Sequence, residues 1–167
     1  LTYCRALDAD GAAWGAPVNP ELLLGLVNRT ELKVVNGNPA IGFGRGGNTR
    51  YIRAADVNGA SWNTGFTIAT GVNNGIHPSM AVVGGVPCMA YYRADDDRVS
   101  FRRADDANGD AWAADVIVHD VNGQDIGAYT RLFEVDGLPA VAYQHVTNSD
   151  LFYVRAANAN GSSWTNH

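Results

Sequence analysis

Lysine is nearly absent from this chain: of its twelve basic residues eleven are arginine, and Lys33 stands alone. With a net charge of −5 and no basic cluster, nucleic acid is not an expected partner. Glutamate is scarce as well, with only Glu21, Glu31 and Glu134, and none of the three stands beside an obvious nucleophilic tyrosine. Cys4 and Cys88 lie in different repeats, show no zinc-site spacing with histidine, and read as two small buried residues in strands, with a disulfide as the alternative. No long apolar run occurs; the longest, Leu22-Leu23-Leu24-Gly25-Leu26-Val27, is far too short to span a bilayer. No stretch carries a 3.6-residue hydrophobic period, so no helix is expected. The chain opens on Leu1 without an initiator Met or a signal sequence, which reads as a processed or partial product and not as evidence for the cytoplasm.

What the chain has is repetition. Arg103 to Trp112 (RADDANGDAW) recurs as Arg5 to Trp14, Arg53 to Trp62 and Arg155 to Trp164, and the tryptophans are spaced by 48, 50 and 52 residues. A period near fifty signals a repeat architecture. Before each Arg lies a short alternating segment with an aromatic two residues ahead of it: Tyr3, Tyr51, Phe101 and Tyr153. The Asp/Asn-Gly segment after each Arg supplies the residues that tolerate a left-handed backbone, so strand, tight turn, Trp and strand form a hairpin. A second unit repeats between the hairpins: Leu32 to Phe43, Met80 to Tyr91 and Leu132 to Tyr143, each a strand, a Gly turn and a strand whose first residues include a Pro.

Together these give four antiparallel strands per period, and four-stranded units at this period mark an all-β propeller. The expected division of this single domain is a partial blade over residues 1–18 and blades near 19–69, 70–119 and 120–167. That makes thirteen strands and about three blades. The count neither closes a ring nor pairs neatly with a second copy, so the chain reads as part of a larger propeller.

The segment from His77-Pro78-Ser79-Met80-Ala81-Val82-Val83 through Val86 to Tyr92 and on to Trp112 resembles one blade of the sialidase-type propellers, which carry a BNR or Asp-box hairpin of pattern S-x-D-x-G-x-T-W. Here Ala54 and its equivalents stand in place of Ser, the turn is one residue longer, and Asn158 replaces Asp in the last copy. The resemblance implies the propeller fold. It does not bring the activity with it, because such hairpins occur in enzymes, lectins and adhesion proteins alike. The family's Tyr nucleophile with its Glu partner and its Arg-Ile-Pro stretch have no counterpart here, and neither Gly-x-Ser-x-Gly nor His-Glu-x-x-His occurs.

Repetition separates scaffold from function. The residues Arg5, Arg53, Arg103 and Arg155 recur and read as ion pairs or as guanidinium groups stacked on tryptophan. Trp14, Trp62, Trp112 and Trp164 read as hairpin anchors or inter-blade packing, with a sugar-stacking platform as the alternative. No cofactor is expected. The Asp/Asn-rich turns invite a calcium ion, but an EF-hand loop starting two residues before Asp8 would need ligands at Ala6 and Pro17, and turn-forming is the better reading. Non-recurring polar residues gather in the other loops, which share one end of the blades and form the expected binding face. Its candidate contributors are His77, Arg93, Asp95, Asp96, Asp97 and His145, with Asn73, Asn74, His119, Asp120, Gln124 and Asp125 in the same connectors. Asn28 and Asn160 begin glycosylation sequons. The expected function is a non-catalytic extracellular or cell-surface module recognising a glycan or protein, with further blades or other copies as partners. The alternatives are a glycoside hydrolase fragment and a structural repeat of a surface assembly.

Overall fold

The computed structural model describes every residue except Leu23, Leu24, Val72, Asn73, Asn122, Asn166 and His167. Asn73, one of the expected loop residues, therefore lies outside the described residues. The described chain is all-β and without helices, so it has no helix long and apolar enough to cross a membrane. Its strands are β1 (Val27–Val35), β2 (Asn38–Arg45), β3 (Asn48–Arg53), β4 (Phe66–Ala69), β5 (Asn74–Val83), β6 (Val86–Arg93), β7 (Arg98–Arg103), β8 (Val116–His119), β9 (Ile126–Val135), β10 (Leu138–His145) and β11 (Asp150–Arg155). They form three antiparallel meanders: β1-β2-β3-β4, β5-β6-β7-β8 and β9-β10-β11. Successive sheets meet along their first strands, β5 lying against both β1 and β9.

The apolar residues explain this stacking. Strand β2 is buried from Pro39 to Arg45, with Ile41 and Phe43 packed with Tyr3 and Ile52 on one face and Ala40 joined to Met80 and Met89 on the other. Small residues on the second face let the next sheet approach: a Cβ on Gly42 would lie 2.8 Å from Met89 Sδ. A third cluster, with Val83, Ala90, Phe101, Leu132, Val141 and Tyr143, fills the space between the second and third sheets. The interior is thus a series of cores between sheets, each sheet buried on both faces where it has two neighbours.

The four Arg-to-Trp units are more open than tight turns. Ala54 pairs with Trp62 in an isolated bridge, and Ala6–Trp14, Ala104–Trp112 and Ala156–Trp164 do the same. Inside the loop a carboxylate gathers the free amides: Asp56 accepts from the N–H of Asn58 at 2.9 Å, Ala60 at 3.1 Å and Ser61 at 2.9 Å. The Ser61 hydroxyl and those amides hold the Asp56 carboxyl down at about 2. Asp106 and Asp8 repeat the arrangement, and in the last copy Asn158 Oδ1 accepts from Ser162 N at 3.1 Å. Each indole then closes its loop by donating to the glycine carbonyl three residues before it, at 2.9–3.0 Å. The carboxylates of Asp56 and Asp106 are thereby engaged by the backbone.

Several expectations change. Eleven strands are found among the described residues where thirteen were expected. Residues 1–18 make the isolated bridges Tyr3–Val18 and Ala6–Trp14 in place of the two strands expected there. Cys4 is exposed and Cys88 is buried, and both are free. The recurrent arginines do not stack on tryptophan. Arg53 donates to Val35 O and Asn36 O of its own sheet, and Arg5 to Val57 O and Asn58 Oδ1 of the next. Arg103 does both, reaching Val83 O and Ala159 O, while Arg155 pairs with Asp136.

Candidate functional site

The strand registers put the variable loops on one face. Val27 pairs with Arg45, Asn74 with Arg93 and Ile126 with His145, so the start of each first strand lies beside the loop joining the second and third strands. At this end each first strand is interrupted: the pairing shifts between Asn28 and Thr30, between Ile76 and Ser79, and at the matching place in β9. The residues at these bulges, Arg29, His77 and Tyr129, have φ of 41°, 57° and 56°. Left-handed backbone at three bulky non-glycine residues is uncommon and is a feature of functional sites. They lie 48 and 52 residues apart, close to the 50 and 52 that separate Trp62, Trp112 and Trp164, yet all three differ.

They also touch. The His77 and Tyr129 rings stack with centroids 4.7 Å apart at 18°, and Tyr129 N donates to His77 Nδ1 at 3.0 Å. The Arg29 guanidinium carbon lies 5.4 Å from the centre of the Tyr129 ring, a cation–π contact. Tyr129 is 57 % exposed, so the cluster opens to solvent. Below it the first strands are tied together: Glu31 accepts from Ser79 Oγ and Met80 N, each at 2.9 Å, and Ser79 Oγ accepts from Leu132 N at 2.9 Å. This relay fixes the three bulges relative to one another.

Because Nδ1 of His77 accepts a hydrogen bond, the neutral ring carries its proton on Nε2. Burial, followed by the positive charges of Arg29 and Arg131, holds the His77 pKa below its ordinary value of 6.5. A depressed imidazole pKa means the unfolded chain takes up the proton first as the pH falls. The His77 contribution to stability is therefore complete above about 6.5 and is lost on acidification through the lower folded value. An NMR titration of the His77 ring should give an apparent pKa under 6.5; a value above it would show that the ring is not buried beside Arg29 and Arg131.

The other expected site residues lie apart from this cluster. Arg93 pairs with Asp96 at 3.1 Å and Asp115 at 3.0 Å, while Arg98 pairs with Asp120 at 3.3 Å and stands 3.8 Å from Asp96. The Tyr92 hydroxyl is shared between Asp97 and Asp125 at 2.9 and 2.8 Å, and burial together with these two carboxylates pushes its pKa up. Arg93 is thus paired with Asp96 and Asp97 with Tyr92, and Arg93 also lines a cleft of about 240 Å³ with Thr70, Tyr91, Arg102 and Asp115. Asp95 is exposed on the same loop. His145 is not at the surface: it is 1 % exposed, packs against Phe152 at 5.3 Å and accepts from Asn148 N at 3.3 Å. Of the six candidates, only His77 belongs to the bulge cluster. Arg29 and Tyr129 lie within strands and not in the loops where non-recurring polar residues gather; both stand three residues before the repeated Leu32 and Leu132, as His77 stands before Met80.

No family model matches the chain, and no curated protein matches it in sequence. Solved structures do match in fold. An exo-β-1,3-galactanase from Phanerochaete chrysosporium, solved with β-1,3-galactotriose, superposes with a TM-score of 0.59 at 13 % identity, over 92 % of this chain and 40 % of its own. An engineered GH43 glycoside hydrolase with endo-xylanase and exo-arabinofuranosidase activity gives 0.56 at 13 % identity, over 84 % and 28 %. An α-L-arabinofuranosidase from Clostridium thermocellum gives 0.53 at 12 % identity, over 81 % and 51 %. The chain thus spans between about a quarter and a half of these neighbours. At such identities the likeness concerns the fold: three stacked antiparallel sheets with the geometry of part of a β-propeller.

Proposed function

We propose that this chain is a carbohydrate-binding propeller module, acting outside the cell or at its surface, that holds its ligand on the face of Arg29, His77 and Tyr129 without turning it over. The observation that carries this reading is the His77–Tyr129 stack with the Arg29 guanidinium against it, on three adjacent bulges. Aromatic edges and faces meet the C–H groups of sugars, and a guanidinium donates to their hydroxyls or carboxylates. The neighbours support the ligand class, since each is a glycoside hydrolase by name and one was solved with an oligosaccharide. Kinship with the sialidase-type propellers belongs to the same proposal, supported by the Asp56 and Asp106 carboxylates capping their loops.

Calorimetric titration with xylo-, arabino- and β-1,3-galacto-oligosaccharides tests the reading. Tyr129→Ala should weaken binding of the active oligosaccharide by about tenfold, ~1.4 kcal/mol, while the unfolding midpoint stays close to wild type because the ring is exposed. Unchanged affinity, or no binding to any of the three classes, would refute it.

The neighbours also favour a second reading, a glycoside hydrolase. Such chemistry uses two carboxyl groups flanking the scissile bond. The carboxylate tied to the strands beneath the cluster, Glu31, is engaged by Ser79 and Met80. Release of nitrophenol from an aryl arabinoside or xyloside, abolished by Glu31→Gln, would favour this reading over simple binding.

A further inference from the structure

The spaces between successive sheets are joined on one plan. Tyr51 meets Trp112 across the first and Phe101 meets Trp164 across the second, each edge-on with centroids 5.2 Å apart, and Tyr3 meets Trp62 in the same way. Each space also receives one tyrosine from the second strand of the following sheet, Tyr91 or Tyr143, and both are 1 % exposed. The surroundings of these two tyrosines differ. In the second space His119 Nδ1 is hydrogen-bonded to the Tyr143 hydroxyl, and Phe152 stacks on the Tyr143 ring with centroids 5.9 Å apart. In the first space the registers put Ala69 where His119 stands and Ser100 where Phe152 stands. Two rings are thus replaced by two small side chains, and a cleft of about 240 Å³ opens against Ala69 and Tyr91.

The replacement leaves polar atoms without partners. The Tyr91 hydroxyl makes no hydrogen bond among the described residues, and Ser100 Oγ, paired beside it in register, is buried and equally alone. A buried polar group left unpaired is destabilising, and two on one sheet face mark a place that another molecule completes. The charged wall of the cleft is already satisfied. Arg93 donates to Asp115 Oδ2 at 3.0 Å and pairs with Asp96 at 3.1 Å. Arg102 donates to Ala113 O at 2.7 Å, to Trp112 O at 3.3 Å and to Ile68 O. The two guanidinium charges are balanced by Asp115 and Asp96, so neither an anion nor a cation would meet an unpaired opposite charge. Burial first, then Asp115, pushes the Tyr91 pKa up against the pull of Arg102 and Arg93, so the phenol keeps its proton. What remains is a phenolic O–H, which donates and accepts, and Asp115 Oδ1, which only accepts and has no hydrogen bond among the described residues.

We propose that the cleft between the first and second sheets binds a small neutral polyhydroxyl molecule, such as a single sugar ring, through the Tyr91 hydroxyl and the Asp115 carboxylate. Hydroxyls suit both groups, since each can donate to Asp115 and exchange a hydrogen bond with Tyr91. The cleft is smaller than the roughly 300–1,000 Å³ of sites for drug-sized ligands, so it takes one ring and not an extended oligosaccharide. Its walls come from the last strand of the first sheet and from the second sheet, both inside the chain. None of Arg29, His77 and Tyr129 lines it, so this site stands independently of the face they form. The matching position in the second space is closed by the chain's own His119 and Phe152, which is why a single cleft of this kind is expected there and not two.

Heteronuclear NMR on the isotope-labelled chain, titrated with xylose, arabinose, galactose and the open-chain polyol xylitol, tests this. The amides of Thr70, Tyr91 and Asp115 should shift and saturate with at least one of the four. They should do so equally in Tyr129→Ala, which separates this site from the binding face. Tyr91→Phe should raise the dissociation constant by about tenfold. The same variant should leave the unfolding midpoint at or above wild type, because the hydroxyl it removes has no partner in the chain. Tyr143→Phe, which loses the bond to His119, should lower the midpoint. Ala69→His combined with Ser100→Phe installs the rings of the second space in the first and should abolish the shifts. A response to xylitol as strong as to the sugars would support recognition of hydroxyls by themselves; a response to sugars alone would support recognition of the ring. No saturable shift at these residues with any of the four, shifts that vanish in Tyr129→Ala, or unchanged affinity in Tyr91→Phe would overturn the proposal.

Discussion

Trp112→Ala should lower the unfolding free energy by about 3–5 kcal/mol, the loss typical of a large aromatic removed from a core. Trp112 is 7 % exposed, its ring meets Tyr51 edge-on at 5.2 Å, and Phe66 lies over it at 6.4 Å. Its indole nitrogen also closes the loop on Gly109 O at 2.9 Å. The chain carries its own control, since Trp14 makes the same bond to Gly11 O but has no ring against it. Trp14→Ala should therefore cost under about 1 kcal/mol, and Asp110→Ala, whose exposed carboxylate meets only Asn108 at 3.2 Å, under about 0.5 kcal/mol. Urea denaturation of the three variants gives the order. Equal losses would show that Trp112 is not a joint between sheets.

Gly109→Ala should have the second-largest effect, about 2–4 kcal/mol, from a left-handed backbone and an overfilled contact together. Gly109 has φ of +79°, and a Cβ there would lie 2.5 Å from Tyr51 Cε1 and 2.8 Å from Cζ. Tyr51 cannot easily withdraw, because its hydroxyl donates to Asn108 O at 2.6 Å and its ring is 2 % exposed. Gly37 separates the two causes: its φ is +81°, but a Cβ there meets nothing within 4 Å. Gly37→Ala should therefore show the backbone cost alone, about 1–2 kcal/mol. The difference between the variants in denaturant reports the ring contact, and no difference would mean that Tyr51 does not press on the loop.

The periodic parts of the molecule were legible in the sequence. The Arg–Trp spacing located the loops, and the Pro-led strands located β2, β6 and β10, because each feature recurs for the same packing reason in every sheet. What did not recur was harder to read. Residue type alone does not announce the bulges at Arg29, His77 and Tyr129; they arise from pairing register between first and second strands, a long-range property. His145 looked like a loop residue because Gln144 and Asn148 flank it in sequence, but it pairs with Asp150 and its ring turns onto Phe152. The first unit looked like two strands because it carries the same motif as the others. The isolated bridges Tyr3–Val18 and Ala6–Trp14 form there instead. Of the recurrent arginines, Arg155 forms the expected kind of ion pair, with Asp136, whereas Arg53 and Arg103 donate to carbonyls at turns, which no side-chain pattern displays.

The central claim is that each sheet is joined to the next by a strand aromatic seated on the following loop, and a double-mutant cycle on Tyr51 and Trp112 tests it most directly. Tyr51→Ala, Trp112→Ala and the double variant, unfolded in urea, should give a coupling of about 0.5–1.5 kcal/mol, the worth of an aromatic pair beyond its burial. The same cycle on Tyr3 and Trp112, which belong to different interfaces, should be additive within about 0.5 kcal/mol. Additive losses at Tyr51 and Trp112 would contradict the account, because the two rings would then not be in contact across the sheets.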